Sequence, residues 1–151
     1  MKRIIYISML ILIFAACGGA ARGRKADGPV PFTVILSGAY SKCDTPRVDL
    51  VQNDDDWKNI WQLAKGNEEP LPGIPTVDFR KENVVAAFMG TRNTSGYKIE
   101  ITDLIKQGKA LEVKIKKYET PGMLPVVTRP FTLIRIPKGD YELKITEESV
   151  Q

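Results

Sequence analysis

Residues 84–102, VVAAFMGTRNTSGYKIEIT, decide how the chain folds. Val84, Val85, Ala86, Ala87, Phe88 and Met89 form an unbroken apolar run, the pattern of a central strand covered on both faces. Residues 90–96 are rich in turn formers and read as a loop. Tyr97, Ile99 and Ile101 then alternate with Lys98, Glu100 and Thr102, as in a strand with one wet face. The stretch reads as a hairpin on which the remaining strands can be hung.

Upstream, residues 32–39 read as a strand, 38–46 as a loop holding Cys43, and 47–52 as a short strand. Residues 53–65 form the one clear helix. Asn53 or Asp54 can cap it, Asp55 and Asp56 fall in the first turn, and Gly66 suits the position just past its end. Trp57, Ile60, Trp61 and Ala64 make one apolar stripe, which seals the helix onto a sheet. Pro70, Pro72, Gly73 and Pro75 punctuate 66–75, a connector, and 76–79 reads as a short edge strand. Downstream, a turn at Gly108 leads to Leu111, Val113 and Ile115 in clean alternation. The connection ETPGMLPVVTRP (119–130), a strand over 131–136, a turn over 137–140 and a last strand through Tyr141, Leu143 and Ile145 follow. Without the alternating helices of a parallel sheet, the expected fold is mainly β: an antiparallel sandwich or rolled sheet of seven to eight strands with one packed α-helix.

The N-terminus reads differently. Lys2 and Arg3 precede an apolar run of 13 residues (4–16), too short for a bilayer, which takes roughly 20. Ala15, Ala16 and Cys17 then stand where an export signal would be cut. The segment resembles a bacterial lipoprotein signal, with Phe14 in place of the usual Leu. That resemblance implies a signal over 1–16, a lipid on Cys17, a flexible tether over 17–31 and a single domain over 32–151. It places the protein in the bacterial cell envelope; the lack of an aspartate soon after Cys17 favours the outer membrane, facing the periplasm.

The chain carries 22 basic and 18 acidic residues, but Lys2, Arg3, Arg22, Arg24 and Lys25 all precede the domain. Residues 26–151 hold 17 basic against 18 acidic, so the net charge gives no ground for nucleic-acid binding. With no histidine, imidazole triads, imidazole zinc sites and histidine pH switches are excluded. If Cys17 carries lipid, Cys43 has no partner within the chain and is expected to be a packed thiol. The groups left for catalysis are Ser37, Ser41 or Ser95 with a lysine, or the carboxylates of Asp54, Asp55, Asp56 and Asp78. The three consecutive aspartates are better explained as helix caps. No catalytic residue, metal or cofactor is assigned.

In a simple meander, 90–96 and 119–130 share one rim. The first offers Arg92, Asn93, Thr94, Ser95, Gly96 and Tyr97; the second offers Met123 and Leu124 between Pro121 and Pro125. A polar loop beside an apolar one reads either as a protein-binding edge or as a second loop folded back to cap the core. Two further readings stay open. Trp57 and Trp61 could stack on a small molecule or glycan, and the rim could act as an inhibitor.

The run VVAAFMGTRNTSGYKIEI resembles the C-terminal domain of the protease complex subunit PrcB family, whose mark is a strand, a glycine, T-G-G-Y and another strand. Thr94, Ser95, Gly96 and Tyr97 occupy that motif, with Ser95 in place of a glycine. PGMLPVVTRPFTLIRIPKG, DDDWKNIWQLAK and PTVDFRKENVVAAF are similar to later and earlier family segments, so the resemblance covers about 47–138. It implies a lipid-anchored, non-catalytic subunit that associates with or stabilises an exported protein, a secreted protease being the partner in view. Thr-Ser-Gly-Tyr is also similar to part of the N-P-T-T-G-Y loop of chagasin-like cysteine-protease inhibitors. Here Arg92 and Asn93 replace its Asn-Pro pair. The oligomeric state is not readable from the sequence.

Overall fold

In a computed structural model, residues 27–151 are described. The expected lipid site at Cys17, the expected signal and most of the expected tether lie outside them. The elements run β1 (Gly28–Pro29), β2 (Thr33–Gly38), β3 (Arg47–Val51), α1 (Asp54–Lys65), β4 (Glu82–Phe88), β5 (Lys98–Gln107), β6 (Ala110–Tyr118), β7 (Phe131–Pro137) and β8 (Glu142–Val150). Two four-stranded sheets form, in the orders β2-β7-β4-β3 and β1-β5-β6-β8. They make a β sandwich, with α1 closing the outer face of the first sheet.

Three layers explain why β4 is apolar at every position from Val84 onward. Val84, Ala86 and Phe88 face the helix, where they meet Trp57, Ile60, Trp61 and Ala64. Val85, Ala87 and Met89 face the other sheet, against Ile99, Ile101, Leu111, Val113 and Ile115. β7 is its twin in the middle layer, with Leu133 toward the helix and Ile134 and Ile136 toward the sandwich interior. β5 and β6 have one dry face, so only alternate residues are buried.

The helix forms as its sequence dictates. Asn53 Oδ1 accepts from the Asp56 amide at 2.9 Å, satisfying one donor of the open first turn. Both indoles reach the proline connector: Trp57 Nε1 donates to Pro75 O at 2.9 Å and Trp61 Nε1 to Pro72 O at 3.0 Å. The connector is thus tied to the helix by carbonyls that have no partner strand. Gly66 keeps a right-handed φ of −65°, so the helix ends without the left-handed glycine expected there.

The structure corrects four further expectations. Residues 84–102 are not a hairpin: β4 and β5 belong to different sheets, and 89–97 crosses between layers as an arch. The meander is likewise broken between β7 and β8, and β8 returns to pair with β6 in parallel. Residues 76–79 form no strand. Asp78 instead closes a turn, its carbonyl accepting from Lys81 and Glu82 and its carboxylate from the Arg80 amide. β1 falls within the segment expected to be tether and pairs with Ile105 and Lys106 beside the Gly108 turn.

Candidate functional site: a rim of three loops

The C-terminal ends of β2, β4 and β6 and the N-terminal ends of β5 and β7 lie at one pole. Their connections meet there. Arg92 and Thr128 exchange backbone hydrogen bonds at 2.8 and 2.9 Å. The Ser95 amide donates to Leu124 O at 3.0 Å, and the Gly122 amide to Ser95 O at 2.6 Å. The Thr128 hydroxyl donates to Thr94 O, and the Leu124 amide to Ser95 Oγ. The two loops that the sequence singled out are therefore zipped together along their main chains.

Glycine is required where they touch. Gly96 has φ +94°, and a Cβ there would sit 2.4 Å from Thr120 O and 2.6 Å from Gly122 N. On the other side, a Cβ on Gly122 would meet the Ser95 carbonyl carbon at 2.8 Å. The glycine before Tyr97 does permit close backbone approach, as its type suggests. What it approaches is this chain's own second loop.

A third loop joins them, and the sequence reading missed it. The Arg129 amide donates to Ala39 O at 2.7 Å, the Ser41 amide to Arg129 O at 3.1 Å, and the Thr91 amide to Asp44 O at 3.0 Å. Arg129 Nε donates to Asp44 Oδ1 at 2.6 Å, and the Thr91 hydroxyl to the same oxygen at 3.2 Å. No local sequence pattern marks it, because it depends on the long-range pairing that sets the end of β2 beside the start of β7.

These contacts divide the expected binding residues. Arg92 is built into the base: its guanidinium lies 3.6 Å from Glu119, donates to Thr91 O and sits 5.6 Å from the Tyr97 ring centroid. Tyr97 packs against the sandwich core. Thr94, Ser95 and Gly96 hold the loops together. Asn93 is exposed, as are Met123 and Leu124, at 100% and 65%. Tyr40 and Val127 add exposed apolar surface on the same three loops.

The other candidates lie elsewhere. Trp57 and Trp61 are buried with their N–H groups satisfied, so neither offers a face for a sugar to stack on. Ser37 Oγ lies 2.8 Å from Thr132 Oγ1, and Ser41 is fully buried and accepts from the Cys43 amide. Cys43 is itself buried; its thiol donates to Thr45 O, and burial pushes its pKa up. Asp78 is held down to about 2 by hydrogen bonds from Arg80. Among the described residues, no group of three or more His, Cys, Asp or Glu is placed to hold a metal ion. No helix among them is long and apolar enough to cross a membrane.

The Asp44–Arg129 link has a pH signature. Hydrogen bonds from Arg129 and Thr91 hold the Asp44 carboxyl below the ordinary carboxylate range. A depressed folded-state value means that the link is complete above the unfolded carboxylate value and is lost as pH falls through the lower, folded one. Carbon-detected NMR should give an Asp44 midpoint below that of an aspartate in an unfolded chain, and the Thr91 and Arg129 amides should move with it. An unshifted midpoint would show that the link does not hold in solution.

Residues 83–137 match the family model described as PrcB C-terminal. The match runs from the second residue of β4 to the end of β7, so it contains the 90–97 and 119–130 loops but neither α1 nor β8. No curated protein and no solved structure matches the chain.

Proposed function

We propose, from the match of residues 83–137 to the PrcB C-terminal family model, that this chain is a non-catalytic accessory domain. In this reading its three-loop rim docks onto an exported protein, and the family points to a secreted protease as the partner. The domain is held in the cell envelope by a lipid on Cys17, on the periplasmic side of the outer membrane. It needs no cofactor, and its work is to bind and stabilise.

One observation carries this reading. Met123 is wholly exposed and Leu124 largely so, yet the loop beneath them is clamped by main-chain bonds to Ser95. Apolar side chains on a preorganised base lose little entropy on docking and gain the burial that interface anchors supply. The inhibitor reading gains nothing from the geometry, because the Thr94–Gly96 backbone is already engaged by the 120–128 segment.

The test is a pull-down from detergent-solubilised envelopes with the wild type and with Met123→Asp/Leu124→Asp. The double variant should lose a partner that the wild type retains, with a melting temperature unchanged within about 2 °C, since exposed substitutions move stability by only about 0.5 kcal/mol. Retention of the same partner by the folded variant would refute the rim as the docking surface.

A further inference from the structure

β8 forms one edge of its sheet and is exposed along most of its length. The other edges are short or broken. β1 has two residues and β3 five, while the registers of β2 and β5 shift at Val34/Leu36 and Ile101/Asp103. Such irregularities blunt edge pairing. β8 has none: it keeps register with β6 from Glu142 to Val150.

The direction of its free hydrogen-bonding groups follows from the ladder. The Glu142 amide donates to Lys109 O, and Val150 O accepts from Glu119 N. In a parallel pair only alternate residues bond the neighbour. Even-numbered residues therefore face β6, and Leu143, Ile145, Glu147 and Ser149 turn their N–H and C=O toward the open edge.

We propose that this edge is occupied by β8 of a second copy, antiparallel, across a twofold axis at Thr146. Bonding requires outward-facing residues to sit opposite one another, which leaves three well-overlapped registers, centred on Ile145, Thr146 or Glu147. Centring on Ile145 sets Glu142 opposite Glu148. Centring on Glu147 sets that carboxylate against its own copy. Centring on Thr146 sets Lys144 opposite Glu148 twice, and Glu147 opposite Ile145 while it keeps its 2.6 Å partner Lys117.

The outer face supports the same register. Glu112 stands beside Lys144 and Lys116 beside Glu148 in the β6–β8 ladder. Across the twofold, a row then reads Lys116, Glu148, Lys144 of the second copy and Glu112 of the second copy, alternating in sign throughout. The two rims point in opposite directions, so the dimer is bivalent.

Sedimentation velocity of the full chain over a concentration series, in a mild detergent that keeps its apolar N-terminus dissolved, tests this. The wild type should show a reversible monomer–dimer equilibrium. Lys144→Glu and Glu148→Lys, each setting like charges face to face twice, should each weaken it about tenfold or more. The double swap Lys144→Glu/Glu148→Lys should recover it to within about threefold. Both positions are exposed, and far-UV circular dichroism checks that each variant folds. A wild type that stays monomeric, single variants that dimerise as the wild type does, or a folded double swap that fails to recover would each overturn the proposal.

Discussion

Trp57→Ala is expected to cost about 3–5 kcal/mol, a large share of the roughly 5–15 kcal/mol that holds a domain of this size. The side chain is 2% exposed and packs between α1 and the middle sheet, its ring 5.6 Å from that of Trp61. Truncation removes the transfer energy of the ring and leaves a space that the rigid face of β4 cannot fill. It also strips Pro75 O of its donor, so the connector loses one of its two indole ties. Thermal unfolding should drop by on the order of 10–20 °C. Trp57→Phe separates the two effects: it keeps most of the buried area, loses the N–H, and should cost much less. If Trp57→Ala melts within a few degrees of the wild type, α1 is not packed as described.

Gly96→Ala should be the most damaging single-methyl change on the rim. The left-handed φ of +94° costs a side-chain-bearing residue about 1–2 kcal/mol. The new Cβ would also overlap Thr120 O and Gly122 N, both main-chain atoms that cannot rotate away. Overpacking of this kind adds about 1–3 kcal/mol. The strain is local, so the loops should part before the sandwich unfolds. Hydrogen exchange should therefore quicken at the Ser95 and Gly122 amides, which bond across the junction. Gly108→Ala is the control. Gly108 has φ +62° but open space around it, so it should show the smaller strain alone and leave rim exchange unchanged. Equal effects from the two substitutions would mean that the loops are not packed backbone to backbone.

Much of this architecture was legible in the sequence because burial leaves a periodic trace. The stripe of Trp57, Ile60, Trp61 and Ala64 placed the helix, and the double-sided run of β4 placed a central strand. The layer assignment was not read, although the same trace contains it. β4 and β7 are apolar on both faces because a helix covers one side and a sheet the other; β5, β6 and β8 are apolar at most on one. A change from two dry faces to one between successive strands therefore marks a crossing between layers. That change occurs at 89–97 and again at 138–141, where the chain arches rather than folding back as a hairpin. The parallel pairing of β8 with β6 left no such trace, because the strands are separated by β7 in the other sheet.

Of the rim, the meeting of 90–96 with 119–130 was legible from strand counting, since it depends only on which ends of the strands coincide. The roles within it were not. Arg92 was expected to serve binding and is spent on Glu119 and Tyr97. The 38–46 loop was read only as a connection holding Cys43, although Asp44 pins Thr91 and Arg129 from it.

The junction of Gly96 with Gly122 has a practical corollary. It is fastened by amides and carbonyls, with a single hydroxyl from Ser95 and another from Thr128. The identities of the two residues at its crest thus contribute almost nothing to how the turn is held. New recognition sequences could be grafted at 123–124 as interchangeable tips, with the scaffold beneath left as it is.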